Sequence, residues 1–396
     1  MKIKPIYTCL LLLPLLFSGF VLSAQAGGHE IPHKYEKPIF TQPVRIPLLT
    51  EEKLTPDFYK DQETAWLKTL QKNPENSEYW LHAYRAVRFG EAVKNESPVT
   101  ITRQPLLDSI LEAMKPNCAA SFAFNYLTYV NGKNNPALFP FLETAYALEP
   151  ERKELIREFV FYYTLKADSE NQKIWLKRWE AQFANDSSLS LYAHNLLSSL
   201  ETGAVLIAGS ETDAFPILAE QRLRNFRTDV LVIPLAAFAN GSTLQHFMYA
   251  QQLNVPEHYL ATANDAAHCA ALAGVNPQRP FYFAASVEKN ILRAMQKNLY
   301  LTGLAFRYSE VPFDNMPQLT RNITEDYRWY SGKTQTRYWI RQLEMNYVLP
   351  LLLGAKEERK TKNTNKAAAL EAKALEIATR AGKQNDVKKY LAQGGG

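Results

Sequence analysis

The sequence predicts an α+α/β chain in three parts: a helical-repeat solenoid, a small and mainly parallel α/β unit, and a helical C-terminal tail. Three observations lead there. Pro116 and Pro150 stand 34 residues apart and close similar helical phrases. After Leu200, short continuous apolar runs alternate with stretches of helical spacing, the pattern of buried strands covered by helices. From Met316 the helical period returns, and the end of the chain is rich in Ala, Lys and Glu.

Residues 1–26 are expected to be a cleavable secretory leader. Lys2 and Lys4 supply the positive start, Ile6 to Leu22 the apolar core, and Ser23-Ala24-Gln25-Ala26 the small-residue cleavage site. Pro14, Gly19 and several polar side chains argue against a retained spanning helix, which needs about 20 apolar residues. Cleavage places the new N-terminus at Gly27. Residues 27–55 hold Pro32, Pro38, Pro43 and Pro47 without helical period, so an extended lead-in is expected, lying on the body or free of it.

The helical repeats are expected over 56–200. Leu70-Gln71-Lys72-Asn73-Pro74 followed by Trp80, Ala83 and Tyr84 is a loose first version of the phrase. In the next, Phe122, Tyr126 and Tyr129 form a first-helix face, and Leu138, Leu142 and Ala145 a second. Ala147-Leu148-Glu149-Pro150 ends that unit, and Ile156, Phe159, Val160 and Tyr163 take the matching places after it. The period and phrasing resemble tetratricopeptide repeats in a degenerate form, with Tyr126 where a small residue is usual. A helix pair cannot bury its apolar face alone, so the units must stack, and their aromatics read as core knobs, not as a ligand cage.

The α/β domain is expected over 201–312. Strands are predicted at Ala204–Ala208, Asp229–Pro234, Phe281–Ala285 and Leu304–Tyr308. Helices are predicted at Asp213–Phe226, with Pro216 in a tolerant first turn, at Thr243–Leu253 and at Lys289–Leu299. The tail covers 313–396 and is basic from about 355, with Ala369, Ala372, Leu375, Ile377 and Ala378 as its apolar face.

Charge and cysteines bound the function classes. The net charge of +5 falls to +3 without Lys2 and Lys4, and residues 355–396 alone hold ten Lys/Arg against five Asp/Glu. The body is therefore slightly acidic and no nucleic-acid surface is expected on it; the basic tail suits a membrane surface or a membrane protein. Cys118 and Cys269 fall in different expected domains, so two buried thiols are expected and no disulfide scaffold.

Residues 196–310 carry a family resemblance. Gly203-Ala204-Val205-Leu206-Ile207, Thr212-Asp213-Ala214-Phe215-Pro216 and Arg227-Thr228-Asp229-Val230 resemble the extracytoplasmic C-terminal region of bacterial multi-spanning proteins of the protein O-mannosyltransferase type. Arg279-Pro280-Phe281-Tyr282-Phe283-Ala284 and Gly303-Leu304-Ala305-Phe306-Arg307 fit the same region. The family's strand-end segment is usually richer in Asp and Asn than Gly209-Ser210-Glu211-Thr212-Asp213 here, and the membrane-embedded half that performs glycosyl transfer has no counterpart. The resemblance thus implies a shared extracytoplasmic module and brings over no catalytic residue.

Candidate chemistry is sparse. His29-Glu30-Ile31-Pro32-His33 has the letters of a zinc-protease HExxH, but Pro32 opposes the helix that would align the imidazoles, so no metal is assigned. Ser210, Thr212 and Asp213 lie past the carboxyl end of a predicted strand, where open α/β sheets bind ligands, and are the ligand-binding candidates. Helix capping competes with that role and fits better, since Glu211 and Asp213 would repel a phosphate. No glycine-rich phosphate loop, nucleophile elbow or Cys–His pair is present, Cys269 following His268 directly and His194, His246 and His258 standing alone. No catalytic residue and no cofactor is assigned. The expectation is an exported, non-enzymatic adaptor of the bacterial envelope that binds a protein partner through its repeats. The alternative is a carbohydrate- or small-ligand-binding protein, or an enzyme accessory, that uses the strand-end crevice of the α/β domain and is related to envelope glycosylation.

Overall fold

The computed structural model describes residues 42–94, 102–133, 135–183, 186–209, 211–239, 241–256, 266–329 and 337–393. The leader, the His29–His33 segment and Ser210 lie outside them. The chain is mostly helical with a small five-stranded sheet, and it divides into two compact units. One takes in the described residues up to 182 together with 236–256; the other takes in 183–235 and 266–393.

The helical unit begins with an extended segment, 42–48, laid on the helices that follow. Helix α1 (Pro56–Leu70) is started by Thr55, whose hydroxyl accepts the Phe58 N–H, and by Pro56 in the first turn. It buries Tyr59, Gln62, Trp66 and Leu70 on one stripe and packs on α2 (Ser77–Lys94). Next come α3 (Gln104–Cys118), α4 (Phe122–Asn131), α5 (Phe139–Leu148), α6 (Lys153–Leu165) and α7 (Ser169–Ala181), with α4 packed on α5 and α6 on α7. Ser121 and Asp168 cap α4 and α7. Tyr126, Tyr129, Leu142, Ala145, Phe159 and Val160 are buried as their spacing predicts, while Leu138 sits in a 3-10 turn ahead of α5. Pro116 and Pro150 are not equivalent. Pro116 lies in the last turn of α3, which ends two residues on, whereas Pro150 follows the end of α5.

The sheet unit opens with α8 (Ser187–Ser198), capped by Asp186, and then β1 (Val205–Ala208), α9 (Glu211–Arg224) and β2 (Leu231–Pro234). Helix α10 (Gly241–Ala250) belongs to the helical unit and packs on α6. The chain rejoins the sheet unit through α11 (Ala266–Gly274), β3 (Phe281–Ala284), α12 (Lys289–Ala294), β4 (Leu299–Leu301) and β5 (Ala305–Tyr308). Strand order is β2-β1-β3-β5-β4. β1 pairs parallel with β2 and β3, but β5 is antiparallel to both β3 and β4, so the sheet is mixed and the mainly parallel expectation is corrected. The reason lies in the turn that joins β4 to β5. Residues 299–301 form a strand where the end of a helix was predicted, and Thr302-Gly303-Leu304 turns it straight back, which only an antiparallel pair allows. Gly303 has φ +151°, and a Cβ there would meet the Tyr327 hydroxyl at 2.2 Å.

The tail folds onto this same unit. Its helices are α13 (Met316–Arg321), α14 (Tyr338–Glu344), α15 (Val348–Lys360), α16 (Thr364–Arg380) and α17 (Gln384–Ala392). Helix α16 lies along α15, burying Ala367, Ala374, Ile377 and Ala378, while Ala369 and Ala372 of the expected face are exposed. The stripe is rotated because alanines give little contrast between faces, and packing on α15 selects the register. Among the described residues no helix is long and apolar enough to cross a membrane. Cys118 and Cys269 are buried thiols.

A buried amide–phenol network joins α8 to the tail. The Asn195 carboxamide accepts the Arg328 N–H at 2.8 Å and donates to the Arg328 carbonyl at 2.8 Å and to the Tyr347 hydroxyl at 2.9 Å. Replacing Asn195 with Ala strands those groups, and about 2–4 kcal/mol of stability should be lost. Urea unfolding followed by circular dichroism measures it, and a loss under about 1 kcal/mol would contradict the role given to the network.

Candidate functional site

The strand-end position expected from the sequence exists in topology, and the two loops that flank it approach each other closely. β1 lies between β2 and β3, so its connections depart on opposite sides, and a ligand crevice would open between the carboxyl ends of β1 and β3. At that point Gly209 approaches Ser286 so closely that a Cβ on it would stand 2.3 Å from the Ser286 carbonyl oxygen. Asp213, with no exposed surface, ties the two loops together. Its Oδ2 accepts the Gly209 N–H at 3.0 Å and the Ser286 hydroxyl. The carboxylate is thus an internal brace in the first turn of α9, close in kind to a capping box. Thr212 is half-buried in that same turn. Sequence reasoning missed Ser286, although its small polar side chain just after β3 mirrors Gly209-Ser210 after β1.

At the opposite end of the strands, the residues that carried the family resemblance are fasteners. Arg227 donates through Nη1 to the carbonyls of Leu197 at 2.8 Å and Leu200 at 2.9 Å, and through Nη2 to that of Glu201 at 2.8 Å. These carbonyls lie in the last turn of α8 and just beyond it, where a helix leaves acceptors without intrahelical partners. Asp229 accepts from Arg227 Nε at 2.9 Å and from the Gly203 N–H at 2.9 Å, and Arg279 Nε donates to the Gly203 carbonyl at 2.8 Å. The Arg227 hydrogen bonds hold the Asp229 carboxyl down at about 2.

His194 is not alone. Its Nδ1 lies 3.2 Å from Glu220 Oε1, and the Ser190 hydroxyl donates to Glu220 Oε2 at 3.0 Å. Serine and histidine converge on the carboxylate and not on each other, so no nucleophile–base relay forms. No group of His, Cys, Asp and Glu among the described residues is arranged to hold a metal ion.

The helical unit gathers more chemistry, across α2, α4 and α6. Arg85, almost fully buried, pairs with Glu154 at 2.6 Å. Arg152 reaches Glu154 at 3.1 Å and Glu78 at 3.0 Å and lies 4.3 Å over the Phe122 ring, which stacks on Tyr126. The Tyr84 hydroxyl donates to Asn131 at 2.9 Å. Glu158 is buried, accepts from Arg157 on Oε1 at 2.6 Å, and has no partner on Oε2; the Tyr129 hydroxyl and Arg88 Nη1 are buried without partners as well. Burial first, and the Glu158 charge second, push the Tyr126 and Tyr129 phenols above their ordinary range. Reading these helices by their aromatics alone missed the charges; Glu154, Glu158 and Phe161 recur at helical spacing and were the available signal.

No known protein family matches the chain, and neither does any curated protein or solved structure.

Two outcomes test these assignments. Replacing Asp213 with Ala leaves the Gly209 N–H and the Ser286 hydroxyl without an acceptor, and should cost roughly 2–4 kcal/mol in a denaturant titration. An unchanged midpoint would mean that this carboxylate does not brace the two loops. For Asp229, a carboxyl lowered on folding stabilises fully above its unfolded value of about 3.9 and loses that contribution as pH falls towards 2. The effect is modest because the side chain is a third exposed. Stability of an Asp229→Asn variant, measured by thermal melting, should therefore fall less steeply than that of the parent across this window.

Proposed function

We propose that this chain is a non-enzymatic adaptor exported to the bacterial envelope, and that it binds a protein partner through a solenoid-like stack of its helix pairs. The observation that carries the reading is the packed junction of α2, α4 and α6. Three helices bring ion pairs, aromatic rings and buried polar atoms without partners together there, which leaves hydrogen-bonding capacity for another chain and offers no reacting group. The leader pattern of residues 1–26 supports export. The resemblance of residues 196–310 to the extracytoplasmic part of O-mannosyltransferase-type proteins supports an envelope setting, and the basic tail suits attachment at a membrane surface. A ligand role for the strand-end crevice loses ground, because Asp213 already serves Gly209 and Ser286.

Co-purification of the tagged full chain from native membranes, followed by mass spectrometry, tests the proposal. Arg88 is a half-buried cation whose Nη1 has no partner and whose side chain also bonds the Tyr84 hydroxyl. The Arg88→Ala protein should remain folded at the assay temperature yet recover its partner several-fold less well. Asp213→Ala should show the reverse, a lower melting temperature with partner recovery intact while folded. If association survives Arg88→Ala and is lost in folded Asp213→Ala, the crevice and not the helical face is the functional surface.

A further inference from the structure

The segment 42–48 is held on the helical unit by side chains that grip its backbone. The Val44 N–H donates to Gln62 Oε1 at 2.7 Å, and Gln62 Nε2 returns a bond to the Gln42 carbonyl at 3.3 Å. Trp66 Nε1 donates to the Val44 carbonyl at 3.0 Å. Further along, the Ile46 N–H donates to His82 Nδ1 at 3.3 Å, and Arg85 Nη1 faces the Ile46 carbonyl at 3.5 Å. Ile46 has no exposed surface, so these bonds seat an apolar anchor as well as a backbone.

Of these partners only His82 can change from acceptor to donor near neutral pH. A backbone amide has nothing to offer but its N–H, so the bond requires the neutral imidazole with its proton on Nε2. A proton added at Nδ1 sets N–H against N–H. It also adds a positive charge facing Arg45 from the segment, Arg85 from α2 and Arg152 from the residue before α6, with Glu154 as the one counter-charge. We propose that residues 42–48 form an acid-released strap, unfastened at Ile46 when His82 takes up a proton, so that the α1–α2 surface beneath it is uncovered.

Burial, followed by the Arg85 charge, lowers the His82 imidazole from 6.5 to about 4. A histidine lowered in the closed state favours closure fully above about 6.5 and loses that hold as pH falls through about 4. If the uncovered imidazole returns to its ordinary value, strap opening rises up to about 20-fold between pH 7 and pH 5, and about 100-fold by pH 4.

Hydrogen exchange with mass spectrometry on the full chain, corrected for the intrinsic pH dependence of exchange, reads this directly at residues 44 and 46. In the parent, strap exchange should rise at least several-fold from pH 7 to pH 5 while α4 to α7 keep their protection. His82→Gln keeps an acceptor that does not titrate and should show no such rise. Equal strap protection at both pH values, a parallel rise in His82→Gln, or loss of protection in α4 to α7 together with the strap would each overturn the proposal. Should glutamine fail to seat the strap at pH 7, the parent decides by itself: a strap midpoint between about pH 6.5 and 4, ahead of the body, supports the latch, and its absence refutes it.

Discussion

The sheet unit depends on how the C-terminal end of α8 is satisfied inside the protein. A helix ends with carbonyls that have no partner in the helix, and burying them without donors is costly. Here the acceptors around the end of α8 draw donors from across the sequence. Arg227 takes Leu197, Leu200 and Glu201, and Gln318 Nε2 takes Ser199 at 3.2 Å. One turn back, Asn195 pairs with Arg328 and Tyr347, and the Ser199 hydroxyl meets that of Tyr327 at 2.6 Å. Tyr327 then accepts the Leu304 N–H at 2.9 Å, which pins the β4–β5 turn to the same place. The approach to β2, the hairpin and the tail helices are thereby committed to one point.

This constraint explains which parts of the fold were legible in the sequence. β1, β2 and β3 are short apolar runs, and their identity needs nothing beyond their own residues. The sense of pairing at β5 is different, because it depends on Gly303 fitting under Tyr327, a contact 24 residues along the chain with no periodic trace. The buried face of α16 was illegible for another reason. Its alanines recur on more than one side, and only α15 breaks the tie. The sheet unit also takes in α8 and the tail, because the donors that finish α8 come from the tail and from beside β2. Composition and period carry no record of such long-range satisfaction.

The candidate site divides along the same line. That Asp213 would stand beyond β1 at the start of a helix was readable, since acidic residues at helix starts and strand-end turns are local signals. That its carboxylate bonds the neighbouring loop depends on Ser286, 73 residues away, and on the lack of a Cβ at Gly209. On the helical unit the aromatics announced a core, and they form one. The charges within that core follow no hydrophobic pattern, so Arg85 and Glu154 looked like ordinary surface residues until the helices were placed.

The two units resolve their buried polar groups by different chemistry, and this bears on how each responds to its surroundings. The sheet unit joins its parts with amides, phenols and the Arg227 guanidinium around single buried carboxylates such as Asp213, and burial raises the Tyr192 and Tyr347 phenols well above their ordinary 10. The helical unit buries a closely paired cation and anion, Arg85 and Glu154. A buried ion pair adds little net stability, because desolvation offsets most of the attraction, yet removing one partner is expensive. Such pairs therefore fix a register more than they strengthen a fold. Arg85 does this twice, pairing with Glu154 on α6 and facing the carbonyl of Ile46 in the segment laid over α2. The same cation lies beside His82 and helps to keep its imidazole neutral. The charge that pairs α2 with α6 thus adds to burial in keeping neutral the imidazole that accepts the Ile46 N–H.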